Sequence, residues 1–88
     1  MKIGLLQFRI EGGDLTGNRR RARKAIQDAA SEGAEFIVLP ELWNVGYFAT
    51  ESYQRAAEPL DGPTLSRMED LATDLDVTIL AGSIIEDL

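Results

Sequence analysis

The sequence predicts an α/β fold in which short apolar strands alternate with amphipathic helices. Three observations carry that reading. Apolar runs of strand length lie near the start, at Phe36-Ile37-Val38-Leu39 and at Val77 to Ala81. Between them, Ala22, Ala25, Ile26, Ala29 and Ala30, and then Leu65, Met68, Leu71, Ala72 and Leu75, recur at three- and four-residue steps, as one face of a helix requires. Glycine and proline punctuate the junctions at Gly12-Gly13, Gly33 and Gly62-Pro63. The order is strand, helix, strand, irregular segment, helix, strand, which implies an α/β sheet with right-handed crossovers.

The first strand is expected from Lys2 to Arg9, with Ile3, Leu5, Leu6, Phe8 and Ile10 apolar. Glu11-Gly12-Gly13-Asp14 reads as a turn. A helix follows from about Thr16 to about Glu32, capped by Asp14 or Thr16 and terminated at Gly33. The central strand, Glu35 to Leu39, reads as buried on both faces, because its apolar run is unbroken. It must stop at Pro40, which has no N–H for a sheet ladder. Residues 41–62 are irregular, with a short helical piece at Glu51 to Ala57. Pro63 is well suited to open the second main helix. A third strand is expected from Val77 to Ala81, with a possible extension to Ile85. The sequence ends just after it, and a three-stranded sheet with open edges is a poor place for a domain to finish. The expectation is that residues 1–88 are a partial domain, the N-terminal portion of a larger fold.

Composition narrows the chemistry. The 88 residues contain no histidine and no cysteine, so the usual zinc ligands and any Ser-His-Asp or Cys-His arrangement are missing from them. A formal charge of −6 argues against generic nucleic-acid binding and against an anionic membrane surface. No apolar run approaches the roughly 20 residues of a membrane span, and no secretory-signal pattern is present. The absence of cysteine fits a reducing, cytoplasmic setting. No metal or organic cofactor is expected.

Three motifs have bland readings that prevail. Gly12, Gly13 and Gly17 lack the spacing of a dinucleotide-binding loop and read as a tight turn. Arg19 to Lys24 reads as a solvated helix face paired with nearby acids, not a phosphate site. Ser83 lacks the glycine pattern of a nucleophile elbow and has no histidine to activate it, so it reads as a polar strand position. Glu41 is the strongest candidate. It stands just past the carboxyl end of the central strand, where open α/β sheets place ligands. Leu42, Trp43, Tyr47 and Phe48 follow as candidate pocket walls. Desolvation by such walls would disfavour the charged carboxylate and suit it to act as a general base.

Several stretches, in order, resemble one family: Lys2 to Gln7, Gly13-Asp14, Asn18, Ala22, Ala29 to Ala34, Ile37 to Trp43, Gly46-Tyr47, Gly62-Pro63 and Leu80 to Ile84. Together they are similar to the carbon–nitrogen hydrolase (nitrilase) superfamily. The resemblance implies a four-layer α-β-β-α sandwich and a Glu-Lys-Cys triad acting on non-peptide C–N bonds of a small amide, ω-amide, nitrile or carbamoyl compound. Glu41 matches the family's glutamate, with the implied role of general base. Leu42, Trp43 and Tyr47 match the segment that lines the pocket beside it. The family's lysine and cysteine belong to sequence beyond Leu88, and neither Lys2 nor Lys24 matches the lysine's place. Residues 1–88 are therefore expected to hold one triad member of three and to be inactive alone. The expected partners are a small-molecule substrate and either further copies of the chain or a complementary segment supplying the lysine and cysteine. The rival readings are a non-catalytic remnant or interaction module, and one chain of a split enzyme.

Overall fold

In the computed structural model, which describes residues 1–87, strands β1 (Ile3–Leu5), β2 (Phe36–Val38) and β3 (Thr78–Leu80) form a parallel sheet in the order β1-β2-β3. The register aligns Gly4, Ile37 and Ile79 across the three strands. Helix α1 (Leu15–Ser31) connects β1 to β2. A 3-10 turn (Thr50–Ser52), the single-turn helix α2 (Tyr53–Ala56) and helix α3 (Pro63–Leu75) lie between β2 and β3.

Both long helices form where the periodicity places them. The Asp14 side chain accepts from the Gly17 N–H at 3.1 Å, capping α1 two residues earlier than Thr16 would. The helix closes at Glu32, and the Gly33 N–H bonds back to the Ala30 carbonyl. Pro63 occupies the first turn of α3, and the helix ends at Asp76 in the left-handed region, φ 54°. Among the charges of Arg19 to Lys24, Arg21 pairs with Asp14 and Lys24 with Asp28, as a solvated face should.

The strands are shorter than the sequence predicts, and Pro40 explains the top edge of the sheet. The Leu6 N–H donates to the Val38 carbonyl at 3.0 Å. The next parallel rung needs an N–H from residue 40, which proline lacks. Residues Phe8 and Ile10 therefore leave the sheet and pack on the core instead. The possible extension of the third strand to Ile85 does not form. The chain turns at Gly82, and the Ile85 carbonyl accepts from the Glu58 N–H at 3.1 Å, away from the sheet.

The core lies on one side of the sheet. Ala22 and Ile26 of α1, Met68 and Leu71 of α3, and Ile37 of β2 form a single buried cluster with Ala34, Leu39 and Trp43. Successive right-handed crossovers in one direction put both helices on the same face. The opposite face carries Ile3, Leu5, Phe36, Val38, Thr78 and Leu80. Ile3, Leu5 and Leu80 are 58%, 75% and 55% exposed, while Phe36 and Val38 are half-buried. The expectation that β2 is buried on both faces thus holds for only one face within residues 1–87. No helix of the described residues is long and apolar enough to cross a membrane.

Candidate functional site

Glu41 follows the proline that ends β2 and stands at the carboxyl edge of the sheet, on the first residue of a compact turn. Its neighbour Leu42 has a positive φ of 47°, a conformation that a leucine rarely adopts. The turn is closed by the Leu42 carbonyl, which accepts from Gly46 N–H at 2.8 Å and Val45 N–H at 3.3 Å. Gly46 itself has φ 97°, and a Cβ there would lie 3.2 Å from the Gly12 Cα, so the loop between β1 and α1 packs directly on this turn. The Gly13 N–H completes the contact with a 2.8 Å bond to the Val45 carbonyl.

The segment after β3 braces the same turn from the other side. The Trp43 indole Nε1–H donates to the Ala81 carbonyl at 2.8 Å, and the Ser83 Oγ accepts from the Leu42 N–H at 3.1 Å. Gly82 between them has φ 66°. A Cβ at Gly82 would overlap the Pro40 carbonyl oxygen and come within 2.9 Å of its carbon, so this approach requires glycine. Ser83 is not a strand residue, as the sequence reading had it. It lies past the Gly82 turn, against the peptide that follows Glu41.

The four candidate residues separate into three places. Glu41 is exposed and lines a shallow open recess of about 470 Å³ with Ile10, Gly12, Tyr47, Phe48 and Glu51. Tyr47 and Phe48 meet edge to face, with ring centroids 5.1 Å apart, and the Tyr53 hydroxyl donates to the Tyr47 carbonyl. Trp43 instead lies wholly in the core, its ring edge-on to Phe8 at 6.2 Å. Leu42 is half-buried against the smaller cluster formed by Val45, Ala49 and Ala56. Within residues 1–87 the aromatic wall does not close over Glu41. Two carboxylates and no basic side chain line the recess. Among the described residues, no three metal-ligating side chains are grouped to hold a metal ion.

A buried polar chain that sequence reasoning missed holds the turn to both helices. Asn18, fully buried, donates to the Glu11 and Asn44 carbonyls at 2.8 and 2.9 Å and accepts from the Glu11 N–H at 2.8 Å. The Asn44 side chain donates to Thr64 Oγ1 at 3.4 Å. Thr64 in turn donates its hydroxyl and its N–H to the two oxygens of buried Glu58, at 2.8 and 2.7 Å. The Glu58 carboxylate thereby caps α3 from outside the helix, where the positive end of the helix dipole favours it. One local signal existed. Asparagine is a poor helix-interior residue, so Asn18 in the first turns of α1 implies a side-chain partner.

Comparison with known proteins supplies the family. The carbon-nitrogen hydrolase family model matches residues 2–87. A chloroplastic omega-amidase of Arabidopsis thaliana is 37% identical over 89 aligned positions, covering 96% of this chain and 24% of its own length. A nitrilase of Pyrococcus abyssi is 33% identical, covering 99% of this chain and 34% of its own. An omega-amidase of Xenopus tropicalis is 31% identical, covering 98% and 30%. The chain thus spans about a quarter to a third of the length of these relatives and matches their N-terminal portion. With a parallel α/β sheet, a Leu-Pro-Glu strand end and a family match along nearly its whole length, the chain belongs to the carbon–nitrogen hydrolase family.

Proposed function

We propose that residues 1–88 are the part of an amidohydrolase that carries its catalytic base, Glu41, and that the enzyme cleaves the C–N bond of small amides or ω-amides. The observation that carries this reading is the position of Glu41 within a family match spanning residues 2–87: exposed, in a recess at the carboxyl end of the central strand. The ω-amide preference draws on the two omega-amidases among the relatives. In this mechanism Glu41 takes the thiol proton of a cysteine. The thiolate attacks the amide carbon, the proton passes to the departing amine, and a thioester forms. Glu41 then deprotonates water, which releases the acid. A lysine stabilises the oxyanion.

The lysine and cysteine come from polypeptide outside these 88 residues. A recess lined by Glu41 and Glu51 without a basic residue is electrostatically suited to receive that lysine. The bare apolar sheet face of Ile3, Leu5 and Leu80 is suited to pack a second sheet, giving a four-layer α-β-β-α sandwich of which residues 1–88 are one part. Tyr47 lines the substrate side of the recess, while Leu42 and Trp43 hold the turn. A thiol nucleophile fits a reducing, cytoplasmic setting. The same exposed face favours a second reading, in which this chain is a module that associates through it with a separate chain.

The test uses the polypeptide that unites this chain with the lysine and cysteine. Glu41→Gln should lower kcat on small amides by about 10³-fold with the fold retained. The 88-residue chain alone should hydrolyse none of them. Hydrolysis by that chain alone overturns the triad, and full activity in Glu41→Gln removes Glu41 from the mechanism.

A further inference from the structure

Glu41 shares one rigid peptide unit with Leu42, because the peptide plane joins the Glu41 carbonyl to the Leu42 N–H. Whatever holds that N–H sets the orientation of the Glu41 backbone, and through it the direction of the carboxylate. The group that holds it is the Ser83 hydroxyl, at 3.1 Å, from a segment 41 residues away. Among the described residues, the Leu42 N–H has no backbone partner, since the turn uses only the Leu42 carbonyl. Leu42 also sits at φ 47°, a conformation that costs free energy and persists only where its surroundings enforce it. Gly82 brings Ser83 into place, because only a residue without Cβ can press against the Pro40 carbonyl.

We infer that Ser83 is a positioning residue for the catalytic base: its hydroxyl pins the Glu41–Leu42 peptide in the strained turn and aims the Glu41 carboxylate into the recess. The inference rests on the assignment of Glu41 proposed above. Ser83 makes no covalent bond and transfers no proton. A displacement of the base by about an ångström suffices to slow the chemical step by up to 100-fold while substrate binding is retained.

Two measurements on the complete enzyme test this, for Ser83→Ala, Ser83→Thr and Glu41→Gln. In Ser83→Ala, kcat should fall roughly 10- to 100-fold with KM little changed. Hydrogen exchange at the Leu42 amide should rise at least about tenfold, while the Val45 and Gly46 amides keep their protection. Ser83→Thr retains the hydroxyl and should restore both. A loss of kcat with Leu42 exchange unchanged, or a loss that Thr does not restore, overturns the positioning role. If Glu41→Gln is inactive and Ser83→Ala is fully active, the inference about Ser83 fails alone. If Glu41→Gln is active, the assignment of Glu41 fails first and the role of Ser83 falls with it, even where Leu42 exchange responds.

Discussion

The helix–sheet body and the turn that carries Glu41 are held by different forces. In the body, Ala22, Ile26, Ile37, Met68 and Leu71 pack without any directional bond between their side chains. Around the turn, three separated segments contribute specific polar contacts: Asn18 to the Asn44 carbonyl, Thr64 to the Asn44 amide, and the stretch after β3, with Ala81 to the Trp43 indole and Ser83 to the Leu42 N–H. Apolar packing is non-directional and tolerates small changes of shape. Hydrogen bonds fix angles, and where they are buried, as between Asn18 and the Asn44 carbonyl, leaving one unmade also costs the desolvation of the orphaned group. The contrast suits the proposed work of each region, since a body has only to persist, whereas a carboxylate proposed as a catalytic base must also point.

Trp43 belongs to both regions, so its removal should have the largest effect. Trp43→Ala empties a fully buried site and orphans the Ala81 carbonyl, with an expected loss of about 3–5 kcal/mol, read from the urea midpoint. Asn18→Ala tests the polar pins alone. It leaves the Glu11 and Asn44 carbonyls and the Glu11 N–H without their partner, and should cost about 2–3 kcal/mol despite removing little apolar area. Ile37→Val tests the body at its centre and should cost only about 1 kcal/mol, although Ile37 is fully buried. If Ile37→Val proves more damaging than Asn18→Ala, the division between a tolerant body and an exacting turn is wrong.

The smallest effect concerns the cap of α1. The Gly17 N–H holds the Asp14 carboxyl below its ordinary value of 3.8; partial desolvation opposes this, and the Arg21 guanidinium adds to the lowering. A lowered folded-state value means that the stabilisation is complete above 3.8 and is lost as the pH falls through the lower folded value. Urea unfolding of wild type and Asp14→Asn should therefore differ at about pH 6 and converge as the pH falls below 3.8. A difference that stays constant across that range would remove the carboxylate charge from the cap.

The local features were legible because their causes are local. The apolar stripes of α1 and α3, the Asp14 cap, the proline start of α3 and the end of β2 at Pro40 each depend on residues within a turn or two of one another. The position of Glu41 beyond a central strand followed from the same stretch. The partners of the site were not legible. Asn18 finds Asn44 across 26 residues, Asn44 finds Thr64 across 20, and Leu42 finds Ser83 across 41. Trp43 reads as a pocket wall in sequence because an aromatic beside a candidate base has two possible destinations. The available carbonyl of Ala81 and the edge of Phe8 direct it to the core.

By itself, the sequence determined the α/β class, the family, the two helix faces and the residue placed at the carboxyl edge of the central strand. Periodicity and backbone chemistry act over a few residues, so they can be read along the chain. Only the tertiary structure decided which sheet face is covered, how far each strand runs and what holds Glu41 in place. Those outcomes depend on segments far apart in sequence meeting in space, where one missing N–H at Pro40 ends a ladder and one hydroxyl at Ser83 fixes a turn.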